Sequence, residues 1–253
     1  MRTRGARPVG TRWRWLAITG VVAIVATLDV ACTFLPRRGA PPPTPVAAGG
    51  SAAAGGSAAA GDAASVRSIG ERAAAIKAAA QRTDHESDLR VRADLAAEAN
   101  NNADACLALD SGAAACQYGK AVATGLEARV HPVRAAGLLG GMLQNLEKAE
   151  VADPNYDNAG PSRVRALVLI RAPGWPLGPG DTDAGLAAAR RAVGLQPDYP
   201  PNILALAEAL SKTGDESGAR ENYTHARDLA QSLPSGPERD DWLHDAEEGL
   251  RHR

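Results

Sequence analysis

Aromatic side chains are scarce: Phe34 is the single phenylalanine, and past residue 66 the aromatics are Tyr118, Tyr156, Tyr199, Tyr223, Trp175 and Trp242. An interior so poor in rings has to be built from Ala, Leu and Val. That suits helices whose backbones approach closely and does not suit a β-sandwich rich in aromatic and β-branched residues. A surplus of either charge is lacking too, with 28 Lys and Arg against 29 Asp and Glu and a pI near 6.5. The chain therefore offers no basic footprint, and no nucleic-acid partner is expected.

Catalytic constellations are equally thin. His85, His131, His225, His244 and His252 are scattered, and no two stand in H-E-x-x-H spacing. His244 with Glu247 or Glu248 reads as a solvated helix face, so no metal site is expected. Gly174, Gly178 and Gly180 are neither preceded by a strand pattern nor followed by Gly-Lys-Ser/Thr, which excludes a phosphate loop. No Ser or Cys has a His and an acid arranged beside it. The expectation is a protein that is not an enzyme, with no catalytic residues and no cofactor.

What is present begins with an export signal. Arg2, Arg4, Arg7, Arg12 and Arg14 precede an apolar segment from Leu16 to Leu28. A positive region followed by a short apolar run is the order of a signal peptide. Thirteen residues at ~1.5 Å each reach ~20 Å, short of the ~30 Å hydrocarbon core. Cys32 follows Val30-Ala31, and a small residue before a Cys at this point resembles a bacterial lipoprotein cleavage box, with Asp29 where Leu is usual. Lipidation of Cys32 is the favoured reading, against a plain secretory signal or an uncleaved anchor. Residues 33–66, with Pro41-Pro42-Pro43 and repeated Gly-Gly-Ser-Ala-Ala-Ala, hold few large apolar groups and read as a flexible tether. The division expected is a signal segment 1–32, this tether, and a helical domain 67–253.

Within that domain successive helix ends repeat. Cys106, Ala149 and Ala192 are each separated by 43 residues, and Ala226 lies 34 beyond Ala192, the period of a tetratricopeptide repeat. Ile203, Leu206, Ala207, Leu210, Ala219, Tyr223 and Ala226 fall at the large and small positions of that pattern. The fold class expected is all-α: a tetratricopeptide-like solenoid of about four helix pairs, 68–81 with 86–109, 113–129 with 134–152, 161–171 with 182–194 and 200–212 with 215–232. A helix over 237–251 closes it, with Trp242 in its apolar stripe. Pro161 and Pro200-Pro201 suit first turns, Gly214 a helix end, and Asp181 or Thr182 an N-cap. The nine-residue excess of the longer units is expected in loops between first and second helices: around Pro132 with the run Gly137 to Gly141, and in Ala172 to Asp181, the two loops meeting in space.

The second of these loops carries Ala172-Pro173-Gly174-Trp175-Pro176-Leu177-Gly178-Pro179-Gly180-Asp181. Three prolines and three glycines in ten residues exclude helix. Trp175 held between prolines leaves two readings open: a plug between helices, or a rigid recognition surface. Cys106 and Cys116 flank the Asp110-Ser111-Gly112 turn. Antiparallel helices would bring them close, as a disulfide in an exported chain or as two small buried residues without a bond.

The segments Asn158-Ala159-Gly160-Pro161-Ser162-Arg163-Val164, Arg171 to Asp181, and Pro197-Asp198-Tyr199-Pro200-Pro201-Asn202, followed by the Leu-Ala-Glu-Ala-Leu run from Leu206, resemble the TatT family. These are tetratricopeptide lipoproteins associated with TRAP transporters. The resemblance covers about residues 70 to 232. It implies a bacterial envelope protein facing the periplasm, membrane-anchored by lipid, that assists a periplasmic TRAP solute-binding protein in small-molecule uptake. A small apolar or carboxylate ligand and homo-oligomeric assembly belong to the same expectation. A generic envelope scaffold for protein–protein interaction is the alternative. Candidate ligand- or partner-binding residues are Tyr156, Asn158, Arg163, Pro173, Gly174, Trp175, Pro176, Gly178, Gly180, Asp181 and Tyr199.

Overall fold

The structure is a computed structural model that describes residues 56–251. Cys32, the signal segment, His252 and most of the proposed tether lie outside the described residues. Among those described, regular structure is all helical: α1 (Gly56–Asp84), α2 (Leu89–Leu109), α3 (Ala114–Val130), a 3-10 turn (Pro132–Arg134), α4 (Ala135–Ala152), α5 (Tyr156–Arg171), α6 (Thr182–Leu195), α7 (Pro200–Lys212), α8 (Glu216–Ser232) and α9 (Pro237–Arg251).

Many boundaries follow from local chemistry. Asp88 caps α2 by accepting from Arg90 N at 2.7 Å, and Asp181 caps α6 by accepting from Ala184 N at 2.9 Å. Pro200 and Pro201 occupy the first turn of α7, where a missing N–H costs nothing. Gly214 (φ +88°) follows the end of α7 and lets Asp215 N donate back to Leu210 O at 2.9 Å.

Two expectations need correction. Residues 56–66, expected to be flexible, are helical and form the start of α1. Alanine is the strongest helix former, so the Ala runs extend a helix already nucleated by its packed portion. The run Gly137–Gly141 is not a loop either: it lies inside α4, where Leu138, Leu139 and Met142 pack into the core and override the weak propensity of glycine. Pro132 does break the chain, but only for a three-residue turn. The Ala172 to Asp181 segment therefore has no counterpart loop to meet.

Consecutive helices run antiparallel, and first helices of successive pairs run parallel. Arg129 near the end of α3 bonds Asp84 at the end of α1 at 2.7 Å, whereas Tyr118 and Asp157 meet near the starts of α3 and α5 at 2.8 Å. Asn202 at the start of α7 bonds Asn158 O at 3.0 Å, and Arg171 at the end of α5 bonds Glu208 further along α7 at 2.6 Å. The α1–α2, α3–α4, α5–α6 and α7–α8 turns thus share one edge, opposite to the edge at which α1 begins.

The core is mainly small side chains. Ala99, Ala103, Ala121, Ala123 and Ala149 are fully buried around Ile76, Leu95, Tyr118 and Leu146, and smaller clusters continue through α5–α7 and α7–α8. Cys106 and Cys116 are joined by a disulfide at the α2–α3 turn, both fully buried. α9 packs Trp242 edge-on against Tyr199, centroids 5.6 Å apart, and its first turn reaches α1, where Glu238 lies 3.6 Å from Lys77.

Candidate functional site

The candidate residues separate into two places at opposite ends of α5. At its C-terminal end the loop from Pro173 to Gly180 projects from the edge with its own hydrogen bonds. Leu177 N donates to Gly174 O at 3.0 Å, Gly180 N to Pro173 O at 2.9 Å, and Asp181 N to Leu169 O at 2.9 Å. Gly174 and Gly180 form a parallel bridge, and Trp175-Pro176 is a cis peptide. The glycines are required by close approach: a Cβ on Gly178 would stand 2.7 Å from Pro173 O, and one on Gly180 would overlap Ala172 O.

This closed framework presents Trp175, 91% exposed, and Leu177, 70% exposed. Trp175 does not plug a gap between helices, so of its two readings only the surface one fits this geometry. Pro176 is exposed beside it, while Pro173 and Gly178 are half-buried supports. Asp181 serves as the α6 cap rather than as a free recognition group.

At the N-terminal end of α5 the other candidates enter a buried polar cluster. Asp157, Asn158 and Ala159 take left-handed backbone angles (φ 51°, 53° and 63°), interrupting the helix before Pro161. Three such non-glycine residues in succession cost about 1–2 kcal/mol each and need partners. Arg163 supplies them: Nη1 donates to Asp157 O and Asn158 O, both at 3.2 Å, and to Asn202 Oδ1 at 3.1 Å, while Nη2 donates to Asp157 Oδ2 at 2.8 Å. Tyr118 donates its hydroxyl to the same Oδ2 at 2.8 Å, and the guanidinium lies over the Tyr199 ring at 5.2 Å. Asn202 Nδ2 donates to Asn158 O, Ala192 O and Gln196 O at 3.0–3.2 Å, tying α6 and α7 to the turn.

Burial raises the Asp157 carboxyl above the usual carboxylate range, against the opposing pull of Arg163 and of the Tyr118 hydrogen bond. Burial also pushes Tyr156 up to about 12, with the charges of Asp157 and Asp153 adding to it. Arg163 and Asp157 are both 1% exposed, so this cluster joins helices and presents no open surface to a ligand. Tyr156 stacks edge-on with Tyr118 at 5.4 Å in the same assembly.

Asp157, Asn202 and Tyr118 are the participants that sequence reading missed as site residues. The available signal was the run Asp157-Asn158-Ala159-Gly160-Pro161, three turn-tolerant positions ahead of a proline.

No helix among the described residues is long and apolar enough to cross a membrane. Comparison of the chain with protein-family models found no match, and comparison with curated proteins found no significant one.

Proposed function

We propose that this chain is a tetratricopeptide-like accessory lipoprotein of the TatT type, docking a periplasmic TRAP solute-binding protein through the Trp175 loop. The observation that carries the reading is the exposure of Trp175 and Leu177 on a loop closed by its own backbone bonds. A preformed loop loses little conformational entropy on docking, and a tryptophan offers the large face that dominates binding energy. Because the tip presents Trp175 and Leu177 together as an exposed apolar face, the favoured occupant is a protein, with a small ligand secondary. The resemblance of Asn158 to Val164, Arg171 to Asp181 and Pro197 to Asn202 to the TatT pattern supports the choice of partner.

The pairing of antiparallel helices, with first helices parallel, supports the repeat assignment. The Lys77 to Glu238 contact adds a return from the last helix to the first that an open stack lacks. The proposed role is non-catalytic, at a membrane to which lipidated Cys32 holds the domain.

Affinity purification of the tagged chain from envelopes tests the proposal. A TRAP solute-binding protein should co-purify, and Cys32→Ala should release the chain from membranes or block its maturation. Recovery of unrelated envelope proteins alone would favour the generic scaffold. Unchanged membrane fractionation and processing of the Cys32 variant would reject lipid anchoring.

A further inference from the structure

A cleft of about 690 Å³ lies between the α2–α3 turn and α4, away from the Trp175 loop. Its floor is Gln117, only 7% exposed. The amide orientation is fixed because Nε2 donates to Ser111 O at 2.6 Å, which leaves Oε1 buried with no hydrogen-bond partner. A buried acceptor in this condition is costly, and a donor arriving in the cleft would relieve it. The Cys106–Cys116 disulfide, adjacent to Gln117 in sequence, holds the Ser111 turn in place.

The rim is formed by one face of α4. Gln144, Glu147, Lys148 and Val151 stand at three- and four-residue spacings, and all four are exposed. Gln144, Glu147 and Lys148 make no hydrogen bond or ion pair with other described residues. As sequence neighbours, Glu147 and Lys148 do not neutralise each other face to face, so the cleft offers a carboxylate and an ammonium side by side. Val151 adds an exposed apolar wall.

We propose that this cleft binds a small zwitterion of the α-amino-acid type. The ligand ammonium donates to Gln117 Oε1 and the Glu147 carboxylate, its carboxylate meets Lys148, and an aliphatic side chain lies on Val151. The exposed rim side chains turn aside to admit the ammonium to the floor. The volume is of the size that small-molecule sites occupy. This inference stands apart from the partner reading of Trp175, and either can fail without the other.

Equilibrium dialysis of the full chain against tritiated L-leucine is the test, with leucinamide and 4-methylpentanoate as competitors lacking one charge each. Saturable binding of one equivalent is expected, with both competitors at least tenfold weaker than unlabelled L-leucine. Glu147→Gln and Lys148→Met, both at exposed positions, should each weaken binding at least tenfold, and Gln117→Leu should do the same where it folds. No saturable binding, which would mean water alone in the cleft, overturns the proposal. So does 4-methylpentanoate competing as well as L-leucine, or binding unchanged in both exposed variants.

Discussion

Arg163 donates to the carboxylate of Asp157 at 2.8 Å with both side chains 1% exposed, and the same guanidinium holds the carbonyls of Asp157 and Asn158 in their left-handed turn. One cation therefore neutralises a buried charge and supports a strained backbone. Arg163→Met should cost about 3–5 kcal/mol, because it strands a buried carboxylate. Asp157→Asn keeps a side chain that tolerates the left-handed region but strands the buried guanidinium, so it should cost a comparable amount, about 3–5 kcal/mol. Urea unfolding followed by circular dichroism measures both, and a loss under about 1 kcal/mol in either variant would contradict the pairing.

The disulfide at the α2–α3 turn gives a second expectation. Cys106 and Cys116 are ten residues apart, and closing so short a loop is worth about 2–3 kcal/mol through the unfolded state. The double variant Cys106→Ala, Cys116→Ala should lose about that much in urea unfolding. Because both sulfurs are bonded to each other and buried, alkylation should label neither residue until the chain is unfolded and reduced.

Asp245 on α9 sets a pH dependence. Burial against neighbouring helices pushes its carboxyl up to about 6; Arg171 and His244 pull it down, and Asp241 and Glu248 add to the rise. A carboxyl raised in the folded state contributes stability that is complete below its unfolded value and is lost as pH rises through about 6. Thermal midpoints should therefore fall from pH 4.5 to 7 by more in the native chain than in Asp245→Asn. Asp245 lies among the charges of α9 but its surface is exposed to water, which screens the effect, so the difference should be small. An identical pH profile in the two proteins would count against it.

Elements whose cause is local were legible in the sequence. Pro200-Pro201, Gly214 and Asp181 act on the backbone within a turn of themselves, and each stands where the reading put it. The Pro/Gly content of Ala172 to Asp181 likewise announced a loop. Features set by distant partners were not legible. The left-handed turn at Asp157 to Ala159 depends on Tyr118 and Asn202, which lie 39 and 44 residues away from the atoms they bond. Gly137–Gly141 reads as loop by propensity, and only the packing of its flanking leucines makes it helix. Gln117 offered no signal, since an orphaned acceptor exists only once Ser111 O has captured the amide nitrogen.

The most direct measurement is made at Trp175. Binding of a TRAP solute-binding protein by the native chain and by Trp175→Ala, measured by calorimetry alongside the thermal midpoint of each, separates recognition from packing. At 91% exposure the side chain has little packing to lose, so the midpoint should hardly move. Affinity should fall by about 2 kcal/mol or more. Unchanged affinity, or a large drop in midpoint with binding intact in the folded fraction, would contradict a recognition role for this loop.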